Sequence, residues 1–550
     1  MKKIYRNKVL GSMIGGAVGD ALGYPVEFMS YAQIVTKYGE RGIHRYDLNK
    51  NGEAEISDDT QMSLFTANGV LFTFTRYAEN ETILASPHSY IKDSYIEWFE
   101  TQTGDIDYSR PHYNWIRDVR DLHVRRAPGH TCLSALQCEK NHGQVKNESK
   151  GCGGVMRTAP LALYTANPSM FHPSDMLNFA KESAEIAAIT HKHPLGYLPS
   201  AYLHLMLHKL LPYAYVTWDA VKSMMEECMA LMTSLYPDQK KHLIYMKELL
   251  DKASLLAKQN LCDEEAIRQI GQGWVAEEAL AIALYCVLKY PDDFEKAVVA
   301  SVNHSGDSDS TGSLTGNIMG AIVGYDAIPQ YYKDNLELRW LIEEIAEDIA
   351  TGLALSDKKW RDKYIYPMLD CTPFDNSYLV SSGLKIFAGE YPGDIAKMGP
   401  YILFKGNFSD FKYFYDLTYE GELPPYSRYL NPDMVYVNYP LHDCDVPVDT
   451  GSVAKLIEII IRNASSSPHN EYMKSYIHCR GGVGRTGTIV ACLYAYLLKG
   501  KGLSAEEIYN KAMKQLADSF SRCPKSKYRT SPENALQRDF VRQFVVNECV

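Results

Sequence analysis

The chain has 550 residues, of which 46% are hydrophobic and 23% charged, and a formal net charge of −10. This is the composition of a globular protein with more than one core, because single cores stop growing near ~250–300 residues. An acidic balance with no Lys/Arg block argues against general nucleic-acid binding. No stretch reaches the ~18 uninterrupted apolar residues of a membrane span, so no membrane partner is expected. The 12 cysteines form no CxxC pair and no regular framework, and the expected setting is reducing and cytoplasmic. The apolar run after Lys2, Lys3, Arg6 and Lys8 is broken by glycine and ends in Asp20, so it is not read as a signal peptide.

Up to about residue 362 the pattern is helical. "YIKDSYIEWF", "MLNFAKESAEIAAI", "WDAVKSMMEECMALMTSLY", "AEEALAIALYCVL" and "WLIEEIAEDIATGLAL" repeat apolar residues at spacings of three and four. Small residues at helical spacing in "GSMIGGAVGDALGYPVEF" lead to Asp20 and then Glu27. "EISDDTQMSLF" puts Asp58 and Asp59 at a helix start, and "VNHSGDSDSTGSLTGNIMGAIVG" puts Asp307 and Asp309 just before a Gly-rich helix. Singly, each cluster is explained by helix capping. Together with Ser57 and Ser310 they make an all-oxygen set suited to a hard cation such as Mg²⁺, Mn²⁺ or Ca²⁺. Zinc is not expected, since no Cys/His set has its ligand spacing. An EF-hand fails because Ile318 stands where the loop starting at Asp307 needs its last Glu. "GCGGVMRTAPLAL" sets a Gly-rich loop before a helix, either a phosphate seat or a tight turn. "THKHP" supplies His191 and His193, too close in sequence for the usual zinc pair.

These stretches, in this order over roughly residues 8–355, resemble the ADP-ribosylglycohydrolase family, including the type that reactivates dinitrogenase reductase. The resemblance implies an all-α fold with two Mg²⁺ or Mn²⁺ ions at its centre. Their ligands would be Ser57, Asp58, Asp59, Asp307, Asp309 and Ser310, with Glu27 on a mobile loop nearby. ADP-ribose contacts would fall on Gly153, Gly154, Met156, His191, Ser305 and Gly306. The loop "GCGGVM" lacks the Asn often present there. A metal pair can orient ribose hydroxyls and polarise water, while a carboxylate moves the proton as the C1″ bond breaks. Glu27 is the catalytic candidate, with Asp58 and Asp59 as rivals.

The character changes near residue 365. "YPMLDCTPFDNS" has no helical period and reads as a linker, placed at 363–376. "GLKIFAGEYP", "FKYFYDLT", "MVYVNYPL" and "YMKSYIHC" read as strands, and "SVAKLIEIIIRNA" and "TGTIVACLYAYLLKG" as helices. The alternation predicts an α/β domain over 377–550 with a central, mostly parallel sheet. In "YIHCRGGVGRTGT" a Gly-rich loop joins strand to helix, which makes an anion cradle of backbone N–H groups. Arg480, Gly481, Gly482, Val483, Gly484 and Thr486 form the phosphate-binding set, and Arg485 can bond two phosphate oxygens at once. The same positive environment favours the Cys479 thiolate, whose attack on phosphorus gives a phosphocysteine. A nucleotide P-loop is excluded, because no Lys-Ser/Thr pair follows the last glycine. The leaving oxygen needs an acid: Asp443 stands 36 residues before Cys479 (479 − 443), with Asp445 as rival. Gln537 in "SPENALQRDFV" can orient the hydrolytic water.

This second set resembles the protein tyrosine phosphatase superfamily, nearer its compact dual-specificity group. The resemblance implies Cys479 as nucleophile, Asp443 as general acid on a mobile loop, Gln537 as the water-positioning glutamine and His478 as the brace of the loop, without a cofactor. The usual Trp-Pro before the acid is Leu441-His442 here. The expectation is therefore a multi-domain, bifunctional hydrolase. An all-α ADP-ribosyl hydrolase over 1–362 would act on an ADP-ribosylated protein or an ADP-ribose-type small molecule. A cysteine phosphatase over 377–550 would act on a phosphorylated protein or small molecule. The alternative is that the first domain binds ADP-ribose without cleaving it and targets the phosphatase.

Overall fold

The structure, a computed structural model, describes residues 2–80, 86–106, 114–352, 363–364, 372–373, 376–381, 384–393, 408, 411–424, 426–465, 474–521 and 523–550. These fall into two units, one up to residue 364 and one from 372 onward, each with its own hydrophobic core. The expected linker at 363–376 lies mostly outside the described residues.

The first unit is helical. Its central members are α1 (Lys2–Gly23), α2 (Asp58–Asn80), α3 (Pro194–Leu210), α4 (Ala276–Lys289), α5 (Ser308–Val323) and α6 (Arg339–Thr351). Extended pairing among the described residues is limited there to isolated bridges, Ala54 with Leu336 and Gly151 with Val275. α4 is buried almost all round, as a helix with an unbroken apolar surface must be.

α1 and α5 touch backbone to backbone. Gly11, Gly15 and Gly19 recur every four residues on α1 and meet Gly320, Gly316 and Gly312 on α5. A Cβ added to Gly19 would lie 1.9 Å from the Gly312 carbonyl oxygen, and one added to Gly316 would lie 1.8 Å from that of Gly15. Glycine inside a helix costs about 1 kcal/mol against alanine. The seam accepts that cost because no side chain fits, and it fixes how far Asp20 of α1 stands from Asp307 and Asp309.

The second unit carries a sheet of β1 (Ser377–Ser381), β2 (Ile386–Gly389), β3 (Phe411–Asp416), β4 (Val435–Asn438) and β5 (Lys474–His478). The strand order is β1-β2-β5-β3-β4. β2, β5, β3 and β4 pair in parallel, while β1 joins β2 antiparallel at the edge. The sheet is thus mixed but mostly parallel, and β1 is a strand that the sequence reading did not place. β2 and β5 are buried along their whole length, as central parallel strands are.

One face packs on a core fed by α7 (Thr450–Ser465), α8 (Gly484–Tyr496), α9 (Ala505–Phe520) and α10 (Ala535–Phe544). The other face holds an aromatic cluster that includes Phe387, Phe411, Phe414, Tyr426 and Tyr476. β5 ends at His478 and α8 begins at Gly484, so the Cys479 loop lies at the carboxyl end of a central parallel strand. Open α/β sheets place their ligands there.

Candidate functional site

Three segments bring carboxylates into one cleft of about 190 Å³ in the first unit. Glu27 comes from the turn after α1, Asp58 and Asp59 from the first turn of α2, and Asp307 and Asp309 from the start of α5. Ser310 lines the same cleft, and among the described residues no lysine or arginine does. Glu27, Asp307 and Asp309 each offer an oxygen within 4.8 Å of the others.

The caps hold this arrangement. Asp20, fully buried on α1, accepts from the N–H groups of Ser57 and Thr60, both at 3.1 Å, and so caps α2 from another helix. Asp307 caps α5 by accepting from the Ser310 N–H at 3.3 Å. The Ser57 hydroxyl accepts from the Asp59 N–H at 3.2 Å and also bonds Asp309, while the Ser310 hydroxyl donates to Asp59 Oδ1 at 3.4 Å.

Crowded, buried carboxylates repel one another and resist ionisation. Burial first, and the Asp309 charge next, push Asp58, Asp59 and Asp307 well above the usual carboxylate range. The same two causes push Glu27 up to about 10 and Asp20 to about 7. Asp309 is the leading charge on all five, which puts it at the centre of the cluster. Glu27 Oε2 and Asp59 Oδ2 are buried with no hydrogen-bond partner among the described residues. Divalent cations would remove the repulsion and satisfy both oxygens, so the residues fit the metal pair that the sequence suggests.

Around the carboxylates lie Gly153, Met156 and His191. Burial, and then Arg157, push His191 down to about 3, which leaves its ring neutral. Gly154, Ser305 and Gly306 are not among the lining residues. Gly154 packs on the Gly196 carbonyl, the Ser305 hydroxyl accepts from the Tyr31 N–H at 2.8 Å, and Gly306 rests on the Gln272 backbone. Sequence reasoning did not single out eight of the lining residues. Trp274 stands at the mouth, stacked on Phe28, and Asp307 Oδ2 accepts from the Cys152 thiol at 2.7 Å. Ala127, Gly129, His130, Thr131, Cys132 and Gly151 complete this group.

In the second unit the Cys479 loop wraps a buried sulfur. Cys479 is 3% exposed, and its Sγ accepts from the Gly482 N–H at 3.2 Å. Gly482 has a φ of 71°, and a Cβ there would sit 2.3 Å from the Gly389 carbonyl carbon, so the loop needs glycine at that point. Thr486 is buried, and its hydroxyl has no hydrogen-bond partner among the described residues. His478 sits beneath the loop, bonded to the Tyr426 hydroxyl at 2.6 Å.

Arg485 is almost fully buried, and Glu422 holds it by two bonds of 2.6 and 2.7 Å. It also donates to the Leu441 carbonyl at 2.8 Å and pairs with Asp443 at 3.0 Å. Asp443 therefore reaches the loop, whereas the Asp445 carboxylate bonds the Val446 N–H. Gln537 is fully buried beside Gly484, and its Oε1 accepts from the Glu533 N–H at 3.0 Å. Glu422, a residue that sequence reasoning missed, lies 63 positions before Arg485 and carries no motif of its own. His442 stacks on Tyr419 with ring centroids 3.8 Å apart, in the place of the expected Trp-Pro.

The model of the ADP-ribosylglycohydrolase family matches residues 1–359. That of the "Swiss Army Knife protein, DSP-PTPase phosphatase domain" matches residues 415–535. An ADP-ribosyl-(dinitrogen reductase) glycohydrolase of Rhodospirillum rubrum is 25% identical over 359 residues, 64% of this chain and 97% of that protein. The ADP-ribosylhydrolase ARH3 of Danio rerio is 29% identical over 382 residues, 65% of this chain and 90% of that protein. A solved structure described as an "ADP-ribosylglycohydrolase-related protein complex" covers 64% of this chain and 99% of its own, with 22% identity and a TM-score of 0.41. The structure of Tk-PTP in its active form covers 31% of this chain and 97% of its own, with 18% identity and a TM-score of 0.22. The chain belongs to the ADP-ribosylglycohydrolase family and carries a dual-specificity-type phosphatase domain in the same polypeptide.

Proposed function

We propose that the first unit hydrolyses an ADP-ribosyl N-, O- or S-glycosidic linkage with two divalent cations, Mg²⁺ or Mn²⁺. The second unit then removes phosphate from a monoester through a phosphocysteine. The substrates are ADP-ribosylated and phosphorylated proteins or small molecules. The observation that carries the first half is the convergence of five carboxylates from three segments, two of them with unpartnered buried oxygens.

Ser57, Asp58, Asp59, Asp307, Asp309 and Ser310 would hold the cations, which orient the distal ribose hydroxyls and polarise a water when bound. Glu27, in the same cleft, moves the proton at the scissile atom. Gly153, Met156 and neutral His191 form the wall against which the ADP-ribosyl group lies.

In the second unit, Cys479 Sγ attacks phosphorus and the P–O bond breaks. Asp443 gives its proton to the leaving oxygen. Arg485, aimed by Glu422, and the N–H groups of the 480–486 loop hold the phosphoryl oxygens. Gln537 then orients the water that splits the S–P bond, and Asp443 takes the proton back. The reach of Asp443 to Arg485, with the Asp445 carboxylate turned instead to the Val446 N–H, supports Asp443 as the acid.

One experiment tests both halves. The full chain, given Mg²⁺ or Mn²⁺, should release ADP-ribose from a panel of ADP-ribosylated proteins and small molecules, and should hydrolyse an aryl phosphate without metal. Cys479→Ser should abolish only the second activity. ADP-ribose binding without release would overturn the first half, and retained phosphatase activity in Cys479→Ser would overturn the second.

A further inference from the structure

The carboxylate cleft contains sulfur as well as oxygen. Cys152 Sγ lies 2.7 Å from Asp307 Oδ2, and Met156 Sδ lies 3.9 Å from the Ser310 hydroxyl that would face a cation. Cys132 lines the same cleft. The unpartnered oxygens of Glu27 and Asp59, on residues 7% and 2% exposed, mark this space as a cation seat independently of the sulfurs.

We infer that Cys152 is a sulfur donor to the cation held by Asp307 and Asp309, and that it tilts the site from Mg²⁺ towards a borderline transition-metal dication of the Co²⁺ or Zn²⁺ class. This rests on the reading of the cleft as a metal site and changes only the ion preferred at the Asp307–Asp309 position, from Mg²⁺ or Mn²⁺ to a softer dication.

The chemistry follows from ligand softness. An all-carboxylate set suits Mg²⁺, Ca²⁺ and Mn²⁺, whereas a thiolate moves preference to softer ions. Cys152 is held for this task by backbone. Its N–H donates to the Trp274 carbonyl at 3.3 Å, and its carbonyl accepts from Val155 and Met156 at 2.9 and 3.2 Å. The sulfur is thereby fixed on the α5 side of the cleft, where Asp307 already meets it. Coordination breaks no covalent bond except S–H, whose proton leaves to solvent as the cation binds. Zinc was not expected from the sequence because no Cys/His set has its ligand spacing. Cys152 and Asp307 are 155 positions apart, so spacing could not show this donor.

The test uses the full chain with Cys479→Ser, so that the phosphatase thiol adds no signal. Metal-stripped protein is loaded with Co²⁺. Bound cobalt is counted by elemental analysis, and near-ultraviolet absorption reads sulfur-to-cobalt charge transfer. Cobalt should bind with the charge-transfer band present. Cys152→Ser and Cys152→Asn should lose the band while still binding cobalt, and Cys132→Ser should keep it. In competition, Cys152→Ser should lower the preference for Zn²⁺ over Mg²⁺ by about tenfold or more. Cobalt bound with no band, or a band that survives Cys152→Ser, overturns the assignment of Cys152 alone. No cobalt, zinc or manganese bound at all overturns the metal reading with it. Thermal melting of each variant separates loss of a ligand from loss of fold.

Discussion

At the residue scale the two sites place opposite demands on buried charge. In the first, carboxylates gather in a cleft that no lysine or arginine lines among the described residues. In the second, an almost fully buried arginine is matched by Glu422, and removing one partner of such a pair leaves an uncompensated charge. The Arg485 guanidinium holds Glu422 below its ordinary value of 4.5. A carboxylate depressed in the fold adds stability that is fully present above its unfolded value and is lost as pH falls through the folded one. The phosphatase unit should therefore lose melting temperature on acidification below about pH 4.5, and Glu422→Gln should flatten that part of the profile. The same variant should lower phosphatase activity, because Arg485 loses its orienting partner. Asp443→Asn should cut kcat on an ester with a poor leaving group by roughly 10²–10⁴-fold. It should cost far less on an activated aryl phosphate, which leaves without a proton. Equal losses on both esters would remove Asp443 from the role of acid.

At the element scale the decisive feature is the glycine seam of α1 and α5. Ridges-into-grooves packing keeps helix axes 8–10 Å apart, and a seam without Cβ atoms lets backbones meet. Asp20, Asp307 and Asp309 ride on these two helices, so the seam is also the ruler of the carboxylate cluster. A methyl group added to Gly19 meets the Gly312 carbonyl at 1.9 Å, and backbone rather than a flexible side chain must yield. Gly19→Ala should destabilise the first unit by at least about 1–3 kcal/mol. Cation affinity should fall in the same variant, measurable by calorimetry beside a melting curve. An unchanged melt would mean that the helices part without cost. The equivalent device in the phosphatase unit is smaller: Gly482, in the left-handed region, tucks the loop against β2.

At the scale of the whole molecule, two units with separate cores are joined in one chain. Their chemistries share no group, so they should respond separately. Chelation should stop ADP-ribosyl release and leave aryl phosphate hydrolysis intact, while a thiol-alkylating reagent should stop the phosphatase through Cys479. A chain divided between residues 365 and 371 should give fragments that each keep their activity. Coupled loss of both activities on division would show that one unit needs the other to fold.

The sequence by itself determined what is local. Helical spacing through Thr351 in the first unit and strand–helix alternation in the second follow from short-range burial, and both are present among the described residues. The Cys479–Thr486 loop was legible as a strand-to-helix turn, because its residues are contiguous in the chain. The acidic pairs at 58–59 and 307–309 were legible as helix starts, since capping chemistry is written beside the helix it serves. Only the tertiary structure decided that these pairs face each other, that Gly11–Gly19 of α1 lies on Gly312–Gly320 of α5, and that Glu422 holds Arg485. It alone placed Cys152 on Asp307 and β1 at the sheet edge. These contacts join residues far apart in the chain. Their partners are ordinary glycines, acids and thiols whose meaning comes from what the fold sets opposite them.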